Sequence, residues 1–220
     1  MGRYRLAIFD VDGTLLDTSE GVLSSVKYAI EEFGYEEPEE EVLRSFIGPP
    51  VQKSFARVYG VTPEKADEMA AVFRDCYKNR DLLKAVPYDG IYKCFEILEN
   101  IGIKTAIATY KREDYALSIL QHFEFDKYTK VMHGSDMDGT LSKSDIIEMC
   151  IRESGAKTDE AVMVGDTDND AKGAAQLGVD FIGVTFGFGW KSGERVANYP
   201  CIGMASEALQ IADIIKGDTQ

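Results

Sequence analysis

The stretch Leu6-Ala7-Ile8-Phe9-Asp10-Val11-Asp12-Gly13-Thr14-Leu15 decides how the rest of the chain is read. Four consecutive apolar residues, too short for a helix, predict a strand buried on both faces. The run ends in two acids one residue apart and a glycine. A strand's alternation aims Asp10 and Asp12 the same way, and Gly13 permits a sharp exit. An Asp-Gly pair is ordinarily a turn or a helix cap. Two carboxylates directly behind a buried strand are costly unless a cation or hydrogen bonds compensate them, which favours a functional reading.

Outward from this stretch, further short apolar runs predict strands at Thr105–Ala108, Lys130–Met132, Ala161–Val164 and Phe181–Val184. Helical spacing separates them at Ile91–Ile101, Tyr115–Phe123, Ile146–Glu153 and Ala171–Leu177. The alternation predicts an α/β fold, a Rossmann-like parallel sheet covered by helices on both sides. From Thr18 to about Leu83 the rhythm breaks, with helical patterns at Val22–Phe33, Val42–Phe46, Val51–Tyr59 and Pro63–Leu82. We therefore expect a core of residues 1–17 and 83–220 and an inserted helical domain of residues 18–82.

In open parallel sheets, ligands bind beyond the carboxyl ends of the strands. A second buried run, Val162-Met163-Val164, ends in Gly165-Asp166-Thr167-Asp168-Asn169-Asp170, acids enough to complete an oxygen cage for Mg²⁺. Calcium is disfavoured, because no twelve-residue loop with a terminal Glu is present. The middle strand ends at Thr109-Tyr110-Lys111, where a hydroxyl and free N–H groups at a helix start could hold phosphate oxygens; Thr is also an everyday cap. Lys143 opens another helix, and a lone Lys is usually solvated.

These pieces, in this order, resemble the haloacid dehalogenase superfamily of phosphatases, over most of the chain. The four signatures are Asp10-Val11-Asp12-Gly13-Thr14, Thr109, Lys143, and Gly165-Asp166 with Asp170. The helical insertion looks like the small C1-type cap. Ile47-Gly48-Pro49-Pro50 and the Gly134-Ser135…Asp138-Gly139…Lys143 run look most like the phosphoglycolate phosphatase and 5′-nucleotidase branch. The resemblance implies Mg²⁺ held by Asp10 and Asp166, by the Asp12 carbonyl, and through a water placed by Asp170. It implies Asp10 as nucleophile, Asp12 as general acid and base, and Thr109, Tyr110, Lys111 and Lys143 around the phosphate. Asp12 would have to be largely protonated while Asp10 stays ionised. A dehalogenase is disfavoured because Asp12 is present. A sugar phosphomutase, a phospho-acceptor signalling domain and a non-catalytic binding protein are the alternatives.

Asp136-Met137-Asp138-Gly139-Thr140-Leu141 nearly copies the first motif, but Met132-His133-Gly134-Ser135 before it lacks the character of a buried strand end. We read it as a decoy that closes a loop. His122 and His133 lack a partner acid at metal spacing. Phe186-Gly187-Phe188-Gly189-Trp190 is either the rim of a site or a loop with partly buried aromatics.

The 220 residues carry a net charge of −14, which argues against nucleic acid polymers or anionic membranes as partners. A small phosphorylated metabolite remains compatible. Residues 18–82 hold 8 basic and 13 acidic residues, and seven of those acids are glutamates at positions 31–41. Residues 42–62 hold no acid but carry Arg44, Lys53 and Arg57, the last two sharing a helix face. This strip is either a solvated face or the place where the distal part of the substrate is recognised. No run is long enough for a membrane span, the N-terminus lacks signal-peptide anatomy, and four scattered cysteines suit reduced thiols. A cytoplasmic location and a monomer are expected.

Overall fold

A computed structural model describes residues 2–137 and 139–217. Two compact units emerge, one of residues 1–17 with 87–220 and one of residues 18–86. In the first, strands β1 (Leu6–Phe9) and β2 (Leu16–Asp17) precede the helical unit. After it come β3 (Val86–Pro87), β4 (Lys104–Arg112), β5 (Met132–Ser135), β6 (Ala161–Gly165), β7 (Asp180–Val184) and β8 (Gly203–Ala205).

Six of these form one parallel sheet in the order β5-β4-β1-β6-β7-β8. β1 lies at its centre and all four of its residues are fully buried. Leu6 and Ile8 join a cluster with Ile146, Ile147, Ala171 and Phe181. Phe9 stacks instead against Phe95 at 4.7 Å, and Phe95 meets Phe125 at 5.7 Å. Both faces of the strand are thus covered, as its unbroken apolar run requires. Phe9 is in register with Ile107 of β4 and Val164 of β6, so β1 and β6 end nearly level. The Asp10 N–H donates to the Val164 carbonyl at 3.0 Å, carrying that register one residue into the loop.

Two strand expectations are corrected. β4 runs on through Thr109, Tyr110 and Lys111 to Arg112, and the next helix starts at Glu113. Thr109 is therefore inside extended backbone rather than at a helix start. Arg112 holds Asp114 with two bonds of 2.6 Å, which sets the helix boundary after it. β5 covers Met132–Ser135 rather than Lys130–Met132. Its polar residues are tolerated because β5 is an edge strand, paired among the described residues with β4 alone.

The helical unit contains α1 (Ser19–Glu32), α2 (Glu40–Arg44), α3 (Val51–Tyr59) and α4 (Pro63–Cys76). Its core gathers Val26, Ile30, Leu43, Phe46, Phe55 and Met69. Pro63 opens α4, whose Thr62 side chain accepts the Lys65 N–H at 3.3 Å, a standard start. α4 ends in a π-helical turn, Tyr77–Asp81. Asp81 is fully buried and bonded by Ser25 Oγ at 2.8 Å, Arg80 at 3.0 Å and Lys84 at 2.9 Å. Burial opposes its ionisation, but these hydrogen bonds outweigh that cost and hold the carboxyl well below the usual range. Hydrogen bonds to a charged group of this kind contribute about 2 kcal/mol. Asp81→Ala is expected to destabilise the protein by about that much, read as a lowered midpoint in thermal or denaturant unfolding. An unchanged midpoint would show that Asp81 is not a structural anchor.

Candidate active site

Four further helices of the α/β unit, α5 (Ile91–Asn100), α6 (Glu113–His122), α7 (Lys143–Ser154) and α8 (Asp168–Leu177), follow strands β3, β4, β5 and β6; α9 (Ala208–Lys216) follows β8. The carboxyl ends of β1 and β6 bring Asp10, Asp166 and Asp170 together. One carboxylate oxygen from each lies within 4.8 Å of the others, and all three residues are buried. Lys143, the first residue of α7, reaches into this group. Its Nζ stands 2.5 Å from Asp10 Oδ1 and 2.7 Å from Asp170 Oδ1.

Each side chain is held by local structure. Ser142 caps α7 in a reciprocal box with Asp145, which fixes where Lys143 begins. The Lys143 N–H donates to the Tyr110 hydroxyl at 2.9 Å, so that side chain supports the helix start. Asp170 lies in the first turn of α8, and its Oδ2 accepts from the Thr167 N–H at 3.1 Å and hydroxyl at 2.8 Å. Asp166 Oδ2 accepts from the N–H groups of Phe188 at 2.7 Å and Gly189 at 3.0 Å. Its Oδ1 is buried with no hydrogen-bond partner among the described residues.

Asp12 lies beside this cluster and pairs with Lys111 Nζ at 2.9 Å. Thr109 is buried, and its Oγ1 accepts the Lys111 N–H at 3.2 Å. That N–H is therefore engaged, contrary to the expectation that it is free. Arg44, Lys53 and Arg57 belong to the helical unit and are exposed. Arg44 bonds Glu40 at 2.9 Å, and Arg57 donates to Ser45 Oγ at 2.7 Å.

Asp136 accepts from the N–H groups of Thr140 at 2.8 Å and Leu141 at 3.0 Å, closing a loop; Asp138 lies outside the described residues. His133 does have acid partners, Glu153 at 2.7 Å and Glu113 at 3.7 Å. They flank opposite ring nitrogens and tie β5 to helices α7 and α6. The loop Phe186–Trp190 supplies both N–H donors to Asp166 Oδ2. Its Gly-x-Gly spacing was the available signal.

The charge balance of the cluster is uneven, with three carboxylates and one ammonium. Burial raises the Asp10 carboxyl above its ordinary range; Lys143 opposes this, and Asp170, Asp12 and Asp166 add to it. Burial would lower the Lys143 ammonium, but Asp10 and Asp170 outweigh it and hold it charged. Asp166 is pushed up to about 7, first by burial and then by Asp170. The excess negative charge and the unpartnered Asp166 oxygen fit an oxygen-seeking divalent cation.

A carboxyl raised in the folded state keeps its proton where the unfolded chain has lost it, so stability falls as pH rises between the two values. For Asp166 that window runs from 3.8 to about 7. In chelator, the unfolding midpoint is expected to fall more steeply from pH 5 to 7 in the wild type than in Asp166→Asn. Parallel pH profiles would refute this assignment.

The haloacid dehalogenase-like hydrolase family model matches residues 7–184. The chain is 36% identical to a 5′-nucleotidase of Pseudomonas aeruginosa over 188 residues, 85% of each chain. It is 34% identical to tyrosine-protein kinase PtkA of Mycobacterium tuberculosis over 84% of this chain and 63% of that protein. Among solved structures, a predicted phosphatase from Clostridium acetobutylicum has a TM-score of 0.86 at 32% identity, covering 96% of this chain and 98% of that one. Carboxylates at level strand ends, the lysine between them and a family match across most of the length agree, and the chain belongs to the haloacid dehalogenase-like hydrolases, among their phosphatases.

Proposed function

We propose that this enzyme hydrolyses a small phosphomonoester through an aspartyl-phosphate on Asp10. The observation that carries the proposal is Asp10 at the end of β1, bonded to Lys143 and grouped with Asp166 and Asp170. Asp10, Asp166 and Asp170, with the Asp12 backbone carbonyl, would hold Mg²⁺, which when bound offsets the charge of the phosphate and polarises it.

Phosphate binding then falls to Lys143 and Thr109. Because Thr109 Oγ1 already accepts from the Lys111 N–H, its own hydrogen serves an incoming phosphoryl oxygen. An Asp10 oxygen attacks phosphorus in line while the bond to the leaving oxygen breaks. Asp12 donates its proton to that leaving oxygen. In the second half it takes a proton from the water that cleaves the acyl phosphate, regenerating Asp10 and releasing inorganic phosphate. Lys111, paired with Asp12, keeps that carboxyl beside the reacting centre. Lys143 stabilises charge on the transferring group.

The 5′-nucleotidase relative supports a nucleoside monophosphate as substrate, and phosphoglycolate is the other member of the class to compare. We assign the choice between them to the helical unit acting as cap, with Arg44, Lys53 and Arg57 as its basic residues.

Phosphate release should be measured with Mg²⁺ on an aryl phosphate and on a panel of phosphometabolites. Asp10→Asn is expected to lose at least roughly a thousandfold in kcat, and Lys143→Ala roughly a hundredfold. Chelator is expected to abolish turnover. Arg57→Ala is expected to raise KM for the best metabolite more than for the aryl phosphate. Full activity in Asp10→Asn would refute the proposal.

A further inference from the structure

The loop after β7 makes an unusual approach to Asp166. Three consecutive N–H groups converge on this one residue. Phe188 and Gly189 donate to Oδ2 at 2.7 and 3.0 Å, and Trp190 donates to the Asp166 carbonyl at 3.2 Å. Two donors on one oxygen fix the rotation of the carboxylate and leave Oδ1 as the oxygen without a hydrogen-bond partner.

The approach depends on the missing side chains of two glycines. A Cβ at Gly187 would stand 2.7 Å from both Asp166 Cβ and Oδ2, and nearer still to the Gly13 carbonyl oxygen. A Cβ at Gly189 would overlap the Asp166 carbonyl oxygen and lie 2.9 Å from its carbon. Most of these obstacles are backbone or a buried side-chain stem, so a methyl group at either position must push the loop away. The loop is anchored around the glycines. Trp190 packs edge-on against Phe181 at 5.8 Å, Phe186 meets Tyr88 at 4.9 Å, and Lys191 Nζ donates to the carbonyls of Gly187 and Phe188 at 3.3 and 3.2 Å.

We infer that Gly187–Trp190 is a backbone clamp that orients Asp166 for cation binding, with Gly187 and Gly189 as positioning residues. The inference rests on the reading that Asp166 holds the divalent cation. Supporting partners of a metal ligand typically govern affinity by ten- to a hundredfold. The clamp adds no charge of its own and acts only by holding one oxygen still.

The test is calorimetric titration of Mg²⁺ and Mn²⁺ into the substrate-free protein. Gly187→Ala and Gly189→Ala are each expected to weaken cation binding by about tenfold or more, with their unfolding midpoints in chelator recorded alongside. Asp166→Asn is expected to abolish the strong site. Should Asp166→Asn bind like the wild type, the underlying reading fails and the clamp with it. Should Asp166→Asn lose the cation while both glycine variants retain wild-type affinity, the clamp alone is overturned. Wild-type amide resonances supply a measurement that needs no variant. The Phe188 and Gly189 N–H signals are expected to shift on cation titration and to exchange slowly; signals that neither shift nor resist exchange would overturn the clamp.

Discussion

A single buried ammonium held between two carboxylates organises this molecule. Lys143 stands at the first position of α7, where the helix dipole disfavours a cation. It is also buried, which disfavours any charge. Both costs are met by Asp10, just past the end of β1, and Asp170, in the first turn of α8. The surrounding devices exist to make that meeting geometrically unavoidable: the Ser142 cap, the Tyr110 hydroxyl under the Lys143 N–H, the Thr167 bonds to Asp170 and the level ends of β1 and β6. A fold selected for stability alone would place apolar groups there. The arrangement is intelligible as a site.

The parts legible in the sequence are those where a local pattern meets a strong physical penalty. Leu6–Phe9 can only be a central strand, and Asp10 and Asp166 follow buried runs at positions where burial is expensive. The helices of residues 51–59 and 91–100 follow from periodicity and clear breakers. What was not legible depended on contacts between distant residues. β4 extends through Lys111 to Arg112, which pairs with Ser135 of β5, and Lys111 meets Asp12, ninety-nine positions away in sequence. β5 is polar because it is an edge, a fact of sheet order rather than of its own composition. β8 is three residues long, too short to carry a period.

The hardest part to foresee was the partnership between Asp166 and the Phe186–Trp190 loop. Backbone donors have no signature in residue type, and only the two glycines betray that something passes close. The His133 pairs illustrate the same limit, since Glu113 and Glu153 reach it from separate helices. In both cases the residues were visible and their neighbours were not. Lys111 and Tyr110 show a related effect. Both were expected to face a ligand, and both are engaged with Asp12 and Lys143, the groups that would do the chemistry.

The place of β1 in the sheet has a further consequence, for how the chain acquires its structure. β1 is made first, yet its partners are Lys104–Ile107 and Ala161–Val164. As the polypeptide emerges from synthesis, those four apolar residues must wait for segments roughly a hundred and more positions downstream. Residues 18–86 are contiguous, so their contacts span fewer positions than those of β1 and close sooner. The helical unit can therefore be complete while the central strand is still unpaired. An exposed strand of this kind invites association with other chains, so the segment that seats the chemistry is also the one most in need of protection before the fold closes.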